Sequence, residues 1–165
     1  MGLKGDRIIK EDCIDFYLNE AATRGVIATI STVGSGVSLD NPSQLATIAA
    51  NPSGSKVAGV LLNDVVDIDT SREFLNTRKN EVIKGSKVQL AKEGMIVTDD
   101  IEVGTVTAGE AAYIGNSGQF ATDAAIAGYG CAVTEESNAT SYPKVGRFLT
   151  TKDENGYCRI DIEIN

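Results

Sequence analysis

At 165 residues, with 42% hydrophobic but only 5% aromatic side chains, the chain suits one domain with a core of Val, Ile, Leu and Ala. The formal net charge of −8 argues against a protein that wraps nucleic acid, because the nearest basic group, Lys4, Arg7 and Lys10, is diluted by Asp6, Glu11 and Asp12. Histidine is absent, which removes the commonest general base, the usual catalytic triads and most transition-metal sites.

Residues 1 to 20 mix charge with Ile8, Ile9, Ile14, Phe16, Tyr17 and Leu18 and sustain neither helical nor strand period. Two readings stand: a lead-in with a first strand, or an arm that gains structure against a neighbour. The start also lacks the apolar stretch of a signal peptide, and no apolar run approaches the roughly 20 residues that cross a bilayer. A protein made in a reducing cytoplasm, away from membranes, is expected.

Gly25 to Val33 predicts a strand ended by Gly34-Ser35-Gly36, with Val37-Ser38-Leu39 as its continuation. No Gly-Lys-Ser/Thr follows that turn, so it is not a phosphate loop. Asn41-Pro42 and Asn51-Pro52 bracket a segment that could be a short capped helix or a strand over Leu45 to Ala50; its shortness favours the strand. Lys56 to Leu62 and Asp64 to Asp69 continue the strand pattern. Thr70-Ser71-Arg72-Glu73 resembles a capping box, so Phe74 to Val82 reads as a short helix or as a long surface connection.

Strand character returns with Ser86 to Ala91, a turn at Lys92-Glu93-Gly94, and Met95 to Thr98. Ala111 to Ile114 is a further strand, and Asn116-Ser117-Gly118 a turn before Gln119-Phe120. Ala121 to Tyr142 is small, polar and Gly-rich and predicts a surface excursion.

The end of the chain is its clearest segment. Cys158, Ile160, Ile162 and Ile164 alternate with Arg159, Asp161 and Glu163, the period of a half-buried strand. Lys144 to Thr151 is its predicted partner, and Asp153-Glu154-Asn155-Gly156 has the polar, Gly-ended chemistry of a hairpin loop. The whole predicts one mainly β domain over residues 21–165, of eight to ten short strands and at most one helix, arranged as a barrel or sandwich.

Chemistry is sparse. Asp64, Asp67 and Asp69 lie close in sequence, as do Asp99, Asp100 and Glu102. Either trio could hold Ca²⁺ or supply paired acids, but neither has calcium-loop spacing, and a solvated face at strand ends is the plainer reading. Cys13, Cys131 and Cys158 are too far apart for a Cys-x-x-Cys site, and Cys158 is expected in the core. No catalytic, cofactor-binding or metal residue is assigned. Gly104 to Glu110 resembles the strand-turn of biotinyl and lipoyl carrier domains, but the lysine motif those domains modify is missing.

One resemblance spans about half the chain. Lys56 to Val66, Asn76 to Val82 with Lys84 to Val88, Lys92 to Thr98, Thr107 to Tyr113 with Ser117-Gly118, Val145 to Leu149 and Asp153 to Tyr157 resemble, in order, the capsid decoration (cement) proteins of tailed bacteriophages. The resemblance implies an antiparallel β-barrel or β-tulip-like domain with an extended N-terminal arm. It also implies a non-enzymatic place on the outer capsid surface of the virion, with the major capsid protein as partner and a homotrimeric state. In that family the arm clamps neighbouring subunits, which makes Ile8, Ile9, Phe16 and Tyr17 the capsid-contact candidates. A low-copy head-fibre or tail component is the alternative, and a carboxylate-dependent β-barrel enzyme using Asp67 or Asp69 a more distant one.

Overall fold

The alternation at the end of the chain folds as its pattern requires. In the computed structural model, which describes residues 2–31, 44–67, 81–102, 104–128 and 142–164, Lys144–Phe148 and Cys158–Glu163 pair antiparallel, with Gly146 opposite Ile162 and Phe148 opposite Ile160. Cys158, Ile160 and Ile162 are buried, whereas Asp161 and Glu163 face solvent. Between the strands Asp153 N–H donates to Tyr157 O (2.8 Å) and Gly156 N–H donates to Asp153 O (3.0 Å). Gly156 has φ +83°, the left-handed conformation that ends such a loop and that glycine adopts without penalty.

The described residues form eleven strands and one α-helix. In chain order these are β1 (Ile8–Leu18), β2 (Ile27–Ile30), β3 (Gln44–Thr47), β4 (Val57–Leu61), β5 (Asp64–Val66), β6 (Glu81–Ile83), β7 (Lys87–Thr98), β8 (Ala111–Ile114), β9 (Phe120–Ala121), α1 (Asp123–Gly128), β10 (Lys144–Phe148) and β11 (Cys158–Glu163). The mainly β class expected from the sequence is therefore observed. β1 pairs with β3 in parallel, β3 with β2, β2 with β4 and β4 with β7, and β7 returns to β1, so these strands are linked in a ring. From β7 the sheet also continues outward through β11, β10, β8 and β9. β5 and β6 form a separate parallel ribbon, fastened by the Ala22–Val65 bridge.

Two apolar clusters follow from this arrangement. Phe16, Leu18, Val26, Ala28, Ala46, Ala58, Leu61, Val65, Val88 and Leu90 pack together on the ring strands and β5. Ile27, Val60, Ala91 and Ile96 face the other way and join Ile114, Phe120, Val145, Phe148, Cys158, Ile160 and Ile162. Cys158 is thus the buried small side chain that the alternation predicted.

β7 corrects one expectation. Lys92-Glu93-Gly94 is not a turn, because β7 runs unbroken from Lys87 to Thr98. Gly94 serves a different need: it has φ +144°, and a Cβ there would lie 2.2 Å from Ile8 O. The glycine lets the backbone of β1 approach β7 where the register of the pair shifts.

The N-terminal residues are extended, and they are paired. Of the two readings left open for residues 1 to 20, the structure has the strand, since β1 lies along β7 from Ile8–Met95 to Tyr17–Lys87. Ahead of it Leu3 is buried and bridges Thr98, Lys4 N–H donates to Val97 O (2.8 Å) and Thr98 Oγ1 donates to Gly2 O (2.8 Å).

Other expectations meet partial outcomes. Residues 34–39, 69–80 and 131 lie outside the described residues, but Glu81 and Val82 belong to strand β6, so a helix does not extend to Val82. The segment from Ala121 to Tyr142 is not wholly a surface excursion. It opens with β9 and α1, and Ile126 is buried against Tyr113, Ala121 and Tyr142.

Candidate functional site

The described members of the two carboxylate trios are engaged in different places. Asp64 opens β5 and its Oδ1 accepts the N–H of Arg24 at 2.7 Å, which fastens the β1–β2 connection to the ribbon. Asp67 is exposed beyond the end of β5, and Asp69 lies outside the described residues.

Asp99, Asp100 and Glu102 follow β7, and two of them hold the turn at Asn116–Gly118. Glu102 Oε1 accepts the N–H of Asn116 at 2.8 Å, and Asp100 Oδ1 accepts from Gln119 Nε2 at 3.2 Å. Burial pushes the Asp100 carboxyl above its ordinary range, the Gln119 bond pulls it down, and the charge of Asp99 adds to the upward shift. Ser117, within the turn, has φ 56°, so these bonds support a backbone conformation that costs a non-glycine residue energy. Among the described residues no three His, Cys, Asp or Glu side chains gather as a metal-binding group.

The contact candidates on β1 are divided between surface and core. Ile8 is 56% exposed, Ile9 packs partly into the larger cluster, and Tyr17 is half-buried with Lys87 Nζ 5.7 Å from its ring centroid. Phe16 is 4% exposed within the ring cluster. It is corrected from contact candidate to core residue, because a neighbour could reach its ring only if β1 left the sheet. Ile14, 60% exposed, is an apolar surface residue on β1 that reading the sequence missed. Alternation gives no warning of it, since the β1–β7 register shifts between Cys13 and Phe16.

Charge borders these side chains. Lys10 Nζ bonds Glu93 Oε1 at 2.8 Å, and that bond, with the nearby Glu93, Asp161 and Glu163 charges, holds the ammonium above its ordinary range. Gln89 donates to Asp12, and Lys87 stands 4.0 Å from Asp15. Glu11, Glu93 and Glu163 occupy directly opposed positions on β1, β7 and β11. Like charges placed opposite one another are unfavourable, and Lys10 offsets part of that cost.

The N-terminal residues are also tied to the closing hairpin. Lys4 Nζ lies 3.7 Å from Asp153 and 3.8 Å from the centre of the Tyr157 ring, and Arg159 pairs with Asp6 at 2.8 Å. The N–H groups of Tyr157 and Asn155 hold the Asp153 carboxyl below its ordinary range, with Lys4 adding to the effect. A cavity of about 660 Å³ lies beside the ribbon, with Ala22, Val26, Ile48 and Val65 as apolar lining and Arg24, Asp64 and Glu81 as charged lining.

The fold and these surfaces define a mainly β protein in which Asp64, Asp100, Glu102 and Asp153 hold connecting segments in place. Among known proteins, no family model matches the sequence and no curated protein matches it.

Proposed function

We propose that the chain is a structural virion protein that binds the outer surface of a bacteriophage capsid lattice and stabilises the head. The observation that carries this reading is the placement of the segments resembling decoration proteins. Their described residues fall in order on β4 and β5, on β6 with the turn into β7, on the second half of β7, on β8 with the loop before it and the turn after it, and on β10 with the loop that follows it. The likeness therefore runs along β4, β7, β8 and β10 of the large sheet, the β5–β6 ribbon and the loops that join them. The major capsid protein is the partner in this reading, and a homotrimer is the assembly.

The physics of such a role is linkage. A protein that binds only the assembled lattice stabilises it by its binding free energy, repeated at every site. That task needs a stiff sheet and a repeating contact surface, and Ile8 and Ile14 on β1 supply apolar surface for it. Quantitative mass spectrometry of purified particles tests the proposal. A copy ratio to the major capsid protein near one supports lattice-wide decoration, a few copies per particle favour a fibre or tail component, and absence from particles refutes a virion role.

A further inference from the structure

The loop between β10 and β11 holds a reactive pair of residues. Asn155 is exposed and is followed by Gly156, and no other Asn in the sequence precedes a glycine. Glycine leaves the following backbone nitrogen unshielded by a side chain. Once that nitrogen gives its proton to a solvent base, it can attack Cγ of Asn155, break the bond to the side-chain amide nitrogen and release ammonia. Water then opens the cyclic imide at either carbonyl, leaving aspartate or isoaspartate at position 155.

The fold restrains the backbone that this step must move. Gly156 N–H, the source of the nucleophile, donates to Asp153 O at 3.0 Å. Asp153 Oδ1 accepts the N–H of Asn155 at 2.9 Å and that of Tyr157 at 2.8 Å, fixing the backbone on both sides of Gly156. The nitrogen cannot swing onto Cγ until these bonds open. We propose that Asn155 is a site of spontaneous deamidation and that Asp153 gates it by holding the loop closed.

The product has structural consequences. Isoaspartate lengthens the main chain by one carbon, which a tight loop of Glu154, Asn155 and Gly156 cannot absorb in register. Either product adds a negative charge beside Asp153 and Glu154, at the point where Lys4 joins residues 2–7 to the hairpin. Isoaspartate formation therefore loosens the closing hairpin, whatever the protein binds.

The test follows amide-to-acid conversion by peptide mapping and mass spectrometry. Full-length chain is incubated at mildly alkaline pH, both folded and in concentrated urea. Asn155 converts first in urea, and folding slows it. In the folded Asp153→Ala variant the rate rises about fivefold or more, the factor that one ordinary hydrogen bond contributes, while the rate in urea stays at the wild-type value. Lys4→Ala, which leaves the loop hydrogen bonds intact, keeps the slow folded rate. Another Asn converting first in urea overturns the site. Equal folded and unfolded rates, or no acceleration in a folded Asp153→Ala protein, overturn the gate. If Asp153→Ala does not fold, the wild-type comparison alone decides it.

Discussion

Replacing Phe16 by alanine decides whether the N-terminal residues are part of the domain or an arm upon it. Phe16 is almost fully buried and packs with Leu18, Leu61, Val88 and Leu90. Removing a buried phenylalanine ring costs about 3–5 kcal/mol, the sum of lost transfer energy and the cavity left behind. In a domain of this size each kcal/mol lowers Tm by roughly 2–4 °C, so the melting point should fall by roughly 6–20 °C. Thermal and urea unfolding followed by circular dichroism would measure it. Ile14→Ala is the internal control, because its side chain is largely exposed and its removal should change stability by no more than about 0.5 kcal/mol. If Phe16→Ala melts within about a degree of wild type, or if Ile14→Ala costs as much, β1 does not pack as described and the arm reading returns.

Three further outcomes follow from particular residues. Gly94→Ala should destabilise strongly, because its Cβ meets the backbone carbonyl of Ile8 and its φ is positive; a wild-type unfolding midpoint would contradict the close crossing of β1 and β7. Asp100→Asn should raise Tm at pH 7. Burial raises the folded-state pKa of Asp100, so its stabilising protonated form is lost as pH rises through that value, and the advantage of the variant should shrink as pH falls toward and below the ordinary carboxyl range. A difference independent of pH would show that desolvation of the charge is not the cause. Burial pushes the Cys158 thiol up to about 12, so iodoacetamide at pH 8 should leave Cys158 unlabelled in the folded protein and label it in urea, as peptide mapping can read; rapid labelling when folded would place it outside the core.

The fold was legible where one period and one turn agreed. Cys158 to Ile164 alternates without interruption and is preceded by a Gly-ended loop, so the hairpin could be read directly. β1 could not be read, because register shifts along β7 break its alternation and leave Ile14 exposed and Phe16 buried. Lys92-Glu93-Gly94 has the composition of a turn, yet the need for glycine comes from a strand that lies more than eighty positions away in sequence. β6 and β9 are too short to show a period, and α1 buries Ile126 among small residues that carry little helical pattern. Asp100 and Glu102 could be identified as a cluster, but their hydrogen bonds to Gln119 and Asn116 depend on tertiary placement.

These features meet in β7. It pairs with β1 over most of its length, with β4 near Ala91 and with β11 from Glu93 to Thr98. Its Val88 and Leu90 belong to one apolar cluster and its Ala91 and Ile96 to the other. A load applied through the exposed side chains of β1 is therefore passed by backbone hydrogen bonds to a strand anchored in both cores, and from there to β11 and the closing hairpin. Hydrogen bonds loaded together resist displacement collectively, whereas those opened from one end yield in turn. For a lattice-binding role this makes the seat of the contact as important as its apolar area. Ile8 and Ile14 project from the start of β1 and from its register shift between Cys13 and Phe16, so a partner gripping them would act on a strand held to β7 on both sides of that shift.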